Sequence, residues 1–190
     1  MSIDVGGQPD ESGYAMAGSC ATCGFEPDDL SPEGAVDFLQ ELPTQWRSAL
    51  AVQLDDADPG RALSDGSTAT AWSALEHAGH VRDVVHALDI RLQRVLREDE
   101  PTIPETHVTP PAGANEQGLA VILAALTMTA DQMSGTVDRT PATAWARTAQ
   151  RRQQSVTALD LVREAVHEGR HHLHLAAEGL AELRSSSTSV

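Results

Sequence analysis

The spacing of apolar residues between Val156 and Leu183 constrains this chain more than any other feature. Leu159, Val162, Val166, Leu173, Ala176 and Leu180 recur at steps of three, four or seven residues, which is the pattern of one buried helix face. His167, His171 and His174 lie within the same stretch. Side chains three or four residues apart lean to one side of a helix. A His pair at i and i+4 can therefore place one ring nitrogen each on a single divalent cation at ~2.0–2.1 Å. A third ligand from a neighbouring helix would leave an open position for water or substrate, and His80 is the expected third ligand.

Three other segments carry helical periodicity. Ser31-Pro32-Glu33 has the residues of a helix start, with Ser at the cap, Pro at the first position and an acid in the first turn. Val36, Leu39, Leu42, Trp46, Leu50 and Val52 follow along one side, with a kink expected at Pro43. A second helix is predicted from about Ala71 to Arg97, with a seam of Leu75, Ala78, Val81, Val85, Leu88, Leu92 and Leu96. A third is predicted over about Glu116–Thr136, with Leu119, Ile122, Leu123, Leu126, Met133 and Val137 on its inner side. The Pro-rich link from Glu100 to Asn115 is longer than an antiparallel pair needs, so the chain is expected to cross the bundle there. Asp55–Ser67 and the Arg-rich Asp138–Ser155 read as loops, the latter with Trp145 as its one large anchor.

These elements predict an all-α fold, a four-helix bundle with a crossover connection and a short irregular N-terminal CxxC segment. Aromatics make up only 3% of the chain, so Ala and Leu must fill the core, which favours helix packing over sheets. The expected organisation is a disordered tail over 1–19, a CxxC leader over 20–30, the bundle over 31–184 and a disordered tail over 185–190. The N-terminus has no basic start followed by an apolar run, so no signal peptide is expected, and no apolar run is long enough to span a membrane. The expected location is the cytoplasm.

Acidic residues number 28 against 13 basic ones, all Arg, for a net charge of −15. Such a surface repels nucleic-acid backbones and anionic lipid, so neither partner is expected. A homodimer through exposed helix faces is compatible with the pattern.

Cys20-Ala-Thr-Cys23-Gly24-Phe25 brings two thiols to one side of a turn, half of a closed zinc site. Cys20, Cys23, His167 and His171 together would complete a Cys2His2 set, and the protein would then be a non-enzymatic zinc-binding sensor or partner-binding module. Two independent metal sites are a third reading. Among the remaining polar residues, His77 is the alternative to His80, and Asp83 and Glu76 are placed to orient the His80 ring. Glu168 is offset by about 100° around the helix from His167 and ranks lower. His172 is expected at the surface or in an interhelix hydrogen bond, His174 in the pocket lining, and His86 and His107 as ordinary polar residues.

Two stretches, Trp72-Ser73-Ala74-Leu75-Glu76-His77-Ala78-Gly79-His80-Val81-Arg82-Asp83 and His167-Glu168-Gly169-Arg170-His171-His172, resemble the DinB-like superfamily of metal-binding four-helix bundles. Asn115-Glu116-Gln117 and the CxxCGF leader resemble its actinobacterial branch. The resemblance covers about residues 20–183 and implies His80, His167 and His171 as ligands of a divalent metal, zinc or nickel. It further implies thiol-dependent S-transferase or isomerase chemistry, with mycothiol as the thiol cosubstrate and an electrophilic small molecule as its partner.

Overall fold

The computed structural model describes residues 19–51, 72–105 and 111–187. The expected tail before residue 19, the Asp55–Ser67 loop, Val52, His107 and the last three residues lie outside the described residues.

Four long helices make the body: α1 (Pro32–Ala51), α2 (Ala74–Arg97), α3 (Leu119–Asp138) and α4 (Ala158–Ser187). Their starts follow local chemistry. At α1 the Ser31 hydroxyl accepts from the Gly34 amide at 3.1 Å, and the helix runs unbroken through Pro43. At α2 the Ser73 side chain accepts from the Glu76 amide at 3.1 Å while the Glu76 carboxylate accepts from the Ser73 amide at 2.7 Å. This reciprocal box satisfies two amides that the first turn would otherwise orphan. It also sets the true start of α2 at Ala74, three residues later than the periodicity suggests. One helical turn, Ala114–Gln117, precedes α3, separated from it by Gly118 at φ +78°.

The apolar seams predicted from the sequence meet in one core. Leu39, Leu42, Trp46 and Leu50 of α1, Leu88 and Leu92 of α2, Ile122, Leu126 and Met133 of α3, and Val162 of α4 are fully buried, and so is Leu161, which lies off the stripe read from the sequence. Each large apolar side chain removed from water in this way stabilises the fold by about 1.5–3 kcal/mol. The packing order differs from a simple up-and-down bundle. α2 lies against α4 and α3, and α1 lies against α3 and α4, so α1 and α2 sit on a diagonal and so do α3 and α4. The crossings therefore fall between α1 and α2 and between α3 and α4. The α2–α3 link, where a crossover is expected from its length, joins neighbours.

Two further differences concern the expected loop and tail. Within 138–155 the chain enters a β-hairpin, with β1 (Thr148–Arg151) antiparallel to β2 (Gln154–Thr157) and Ala149 opposite Val156. Gln150 also exchanges backbone hydrogen bonds with Pro101 and Ile103 at 2.9 Å, which ties the hairpin to the segment after α2. The inward residues alternate, but one of them is Arg151, buried by its 2.6 Å ion pair with Glu164 of α4. A charged residue on the inner face hides the period-2 signal. α4 in turn continues to Ser187, beyond the end expected at Leu183.

Candidate metal centre

Neighbouring residues on α4 serve two different faces. Successive residues turn by about 100° around a helix axis, so the i,i+4 pair His167/His171 and the pair Glu168/His172, one residue out of phase, point to different neighbours. Glu168/His172 faces α2. There His80 Nε2 lies 3.2 Å from Glu168 Oε2, and His172 Nε2 lies 3.3 Å from the same oxygen. His167/His171 faces the leader, where the ligand atoms of Cys20, Cys23, His167 and His171 all lie within 4.8 Å of one another.

The set predicted from the sequence is therefore divided. His80 groups with Glu168 and His172, while His167 and His171 group with the two cysteines; these are the two clusters of metal-ligating type among the described residues. Of the two places expected for His172, the structure gives the interhelix one, buried at 5% exposure against His77 of α2, and Glu168, ranked low, sits beside it at 3%. The reason is packing: the α2–α4 contact falls on the Glu168/His172 stripe. An i,i+4 Glu–His pair was legible at Glu168-Gly169-Arg170-His171-His172, but HxxxH overlaid it. Of the other candidates, Glu76 is committed to the helix cap and Asp83 to Arg82 at the surface, at 2.7 Å. His174 is half-exposed and pairs with Glu178 at 3.3 Å, and His86 is exposed.

His77 completes the cluster from behind. Its Nδ1 lies 2.8 Å from Nδ1 of His172, a separation at which one ring carries the proton and donates it to the other. Trp72, immediately before the cap of α2, covers the group. Its ring centroid is 5.4 Å from that of His172 in a stacked arrangement, 5.1 Å from His80 and 5.3 Å from His77. The cap fixes where Trp72 stands, and the Ser73 hydroxyl donates to Asn115 Oδ1 at 2.6 Å, tying it to the turn before α3. Close approach is built in as well. A Cβ on Gly79 would come 2.8 Å from Pro111 Cγ, and one on Gly169 would come 3.0 Å from Phe38 Cε1.

The surroundings fix protonation states. Burial alone would raise the Glu168 carboxyl, but hydrogen bonds from His172 and His80 overcome it and hold the group down to about 2, so it is ionised. Burial, reinforced by His172, pushes His77 down to about 3. Burial likewise lowers His167, and lowers His171 to about 4 with His172 and His167 adding to it. These three imidazoles are neutral at pH 7, the form that binds metals. At the leader, burial works against the Cys20 thiolate, yet hydrogen bonds from the Cys23 and Thr22 amides leave its pKa lowered; burial raises Cys23.

Two imidazole nitrogens and one ionised carboxylate thus converge from two helices onto one buried point under the Trp72 ring. That donor set suits a borderline divalent cation, and three protein ligands leave a position open. The fit extends outward: a ligating His commonly engages its second nitrogen in a hydrogen bond that fixes the ring, and His77 stands in that position for His172.

No curated protein matches the chain. Among solved structures it is similar to YfiT from Bacillus subtilis, described as a probable metal-dependent hydrolase with an unusual four-helix bundle topology. The identity is 16%, the match covers 94% of this chain and 93% of that one, and the TM-score is 0.68, a likeness of fold. Among the described residues no helix is long and apolar enough to cross a membrane. The model of the DinB superfamily matches residues 39–176, from within α1 to within α4 and across the whole His/Glu cluster, and the chain accordingly belongs to the DinB superfamily.

Proposed function

We propose that this protein is a metal-dependent enzyme in which His80, Glu168 and His172 hold a divalent cation, zinc or nickel, and that it promotes attack by a small thiol on an electrophilic substrate. The observation that carries the reading is the convergence of His80 Nε2 and His172 Nε2 on one Glu168 oxygen, at 3.2 and 3.3 Å, inside a buried and covered cluster. A cation bound there supplies a Lewis acid that ionises a thiol or water at neutral pH. Glu168 brings the negative charge that offsets a divalent ion. His77 engages Nδ1 of the His172 ring and so orients that ring, with Nε2 turned to the cluster. Trp72 shields the imidazoles from bulk water on its side.

Because the attacking sulfur is brought by the cosubstrate, the chain itself need supply no nucleophile. In a cell that uses mycothiol, mycothiol is the thiol this reading names, and the reaction is S-transfer or a thiol-assisted isomerisation. YfiT, as a probable metal-dependent hydrolase, supports the metal dependence and makes water the competing nucleophile. Metal-loaded protein assayed against electrophiles with and without a low-molecular-weight thiol separates the two. Turnover that requires the thiol and disappears in His172→Ala supports thiol transfer. Turnover of the same size without thiol overturns it in favour of hydrolysis.

A further inference from the structure

The leader cluster lies outside the site just described, and its geometry is that of a different kind of metal site. The Cys20 amide donates to the Phe25 carbonyl at 2.8 Å and the Gly24 amide to the Cys20 carbonyl at 2.8 Å, which closes a tight turn. Gly24 sits at φ +66° with nothing within 4 Å of where a Cβ would stand, so the backbone conformation, not space, calls for glycine. The turn presents both thiols to α4. Phe25, 1% exposed, anchors it with its ring 5.4 Å from that of His167, and the Arg170 guanidinium lies over the Phe25 ring at 5.9 Å. Cys20 Sγ is 3.6 Å from His171 Nδ1. In a tetrahedral zinc site with Zn–S of ~2.3 Å and Zn–N of ~2.0–2.1 Å, the sulfur-to-nitrogen edge comes to about 3.6 Å.

We propose that Cys20, Cys23, His167 and His171 form a second, closed zinc site that staples the leader to α4. The donor chemistry separates it from the His/Glu cluster. Two thiolates and two imidazoles make a saturated, soft set that favours zinc and leaves no position open, the mark of a structural site. Both cysteines are free thiols, as ligation requires. The two metal readings that compete for His167 and His171 in the sequence occupy different faces of α4. The closed site links residue 20 to residue 171, and so orders a segment whose main apolar anchor is Phe25. Its ligands also alternate along α4 with Glu168 and His172, so zinc there fixes the two turns that carry the other site.

The test uses untagged full-length protein, stripped of metal and refilled with Co2+ or Zn2+. The wild type is expected to bind two metal ions per chain and, with Co2+, to show a thiolate-to-cobalt charge-transfer band together with tetrahedral d–d absorption. Cys20→Ser/Cys23→Ser should lose one metal equivalent and the whole charge-transfer band. His80→Ala/His172→Ala should lose one equivalent and keep the band. A wild type with no thiolate band overturns the proposal without reference to any variant. So does a double-cysteine variant that retains its full metal content. A wild type that binds one ion, with the band and lost on removing the cysteines, supports the closed site while removing the metal centre proposed above, so the two readings fail separately.

Discussion

Lowering the pH should destabilise the metal-free protein through its buried histidines, and His77 gives the sharpest form of this prediction. Its neighbours are His172 at 2.8 Å, His80 and His171, with Trp72 over its ring, so its surroundings favour the neutral ring over the cation. The folded-state value is about 3, against ~6.5 in the unfolded chain. Between those values the unfolded chain binds more protons, so stability falls as pH falls. From pH 7 to pH 5 this one residue removes about 2 kcal/mol, and the figure hardly changes so long as the folded value lies below about 4. His167 and His171, also lowered, act in the same direction. Glu168, held at about 2, contributes a stability that is present above the ordinary carboxylate value and lost as pH falls from there towards about 2, and so is nearly constant across this window. The assay is urea unfolding at pH 7, 6 and 5 with a chelator present, comparing the wild type with His77→Gln, which cannot titrate. The variant starts less stable but should lose about 2 kcal/mol less over the two units. Equal losses in the two proteins would refute the claim that His77 is buried as a neutral imidazole.

The other predictions concern packing and the cap. Glu164→Gln removes the carboxylate that pairs with buried Arg151 at 2.6 Å and attracts Arg91, takes away the charge those two guanidiniums share, and should cost about 3–5 kcal/mol in chemical denaturation. Arg151→Met should cost less, because Arg91 still faces Glu164. Gly169→Ala places a methyl 3.0–3.3 Å from Phe38 and Leu42 and should lower stability by about 1–3 kcal/mol, read as a shift in the thermal midpoint. Ser73→Ala breaks the capping box and the bond to Asn115; about 1 kcal/mol of stability should go with it, together with weaker metal retention because Trp72 loses its anchor.

The bundle was legible because its seams are long, unbroken and Leu- and Val-rich: Leu88, Leu92, Leu126 and Val162 are all inward as the periodicity requires. Where the chain crosses was not legible, since linker length does not say which helices become neighbours. The hairpin was hidden by a buried Arg151 whose partner is 13 residues away. At the site, sequence spacing put His167 and His171 on one stripe of α4 and the family resemblance added His80 from α2, but neither could resolve which of two adjacent stripes on α4 meets α2. A rotation of one residue, about 100°, decides whether His80 finds imidazoles or the Glu168/His172 pair. Only the packing of α4 between α2 and the leader fixes that rotation. His77 and Trp72 were invisible as supports for the same reason: their partners lie on another helix.

Metal content of the His80→Ala and Glu168→Ala variants, set beside His86→Ala as an exposed histidine control, tests the central claim most directly. Measured by elemental analysis on protein refilled with zinc and freed of excess metal, His80→Ala and Glu168→Ala should each lose one equivalent relative to the wild type. His86→Ala should lose none. Full retention in both cluster variants would contradict the assignment of His80, Glu168 and His172 as the metal centre.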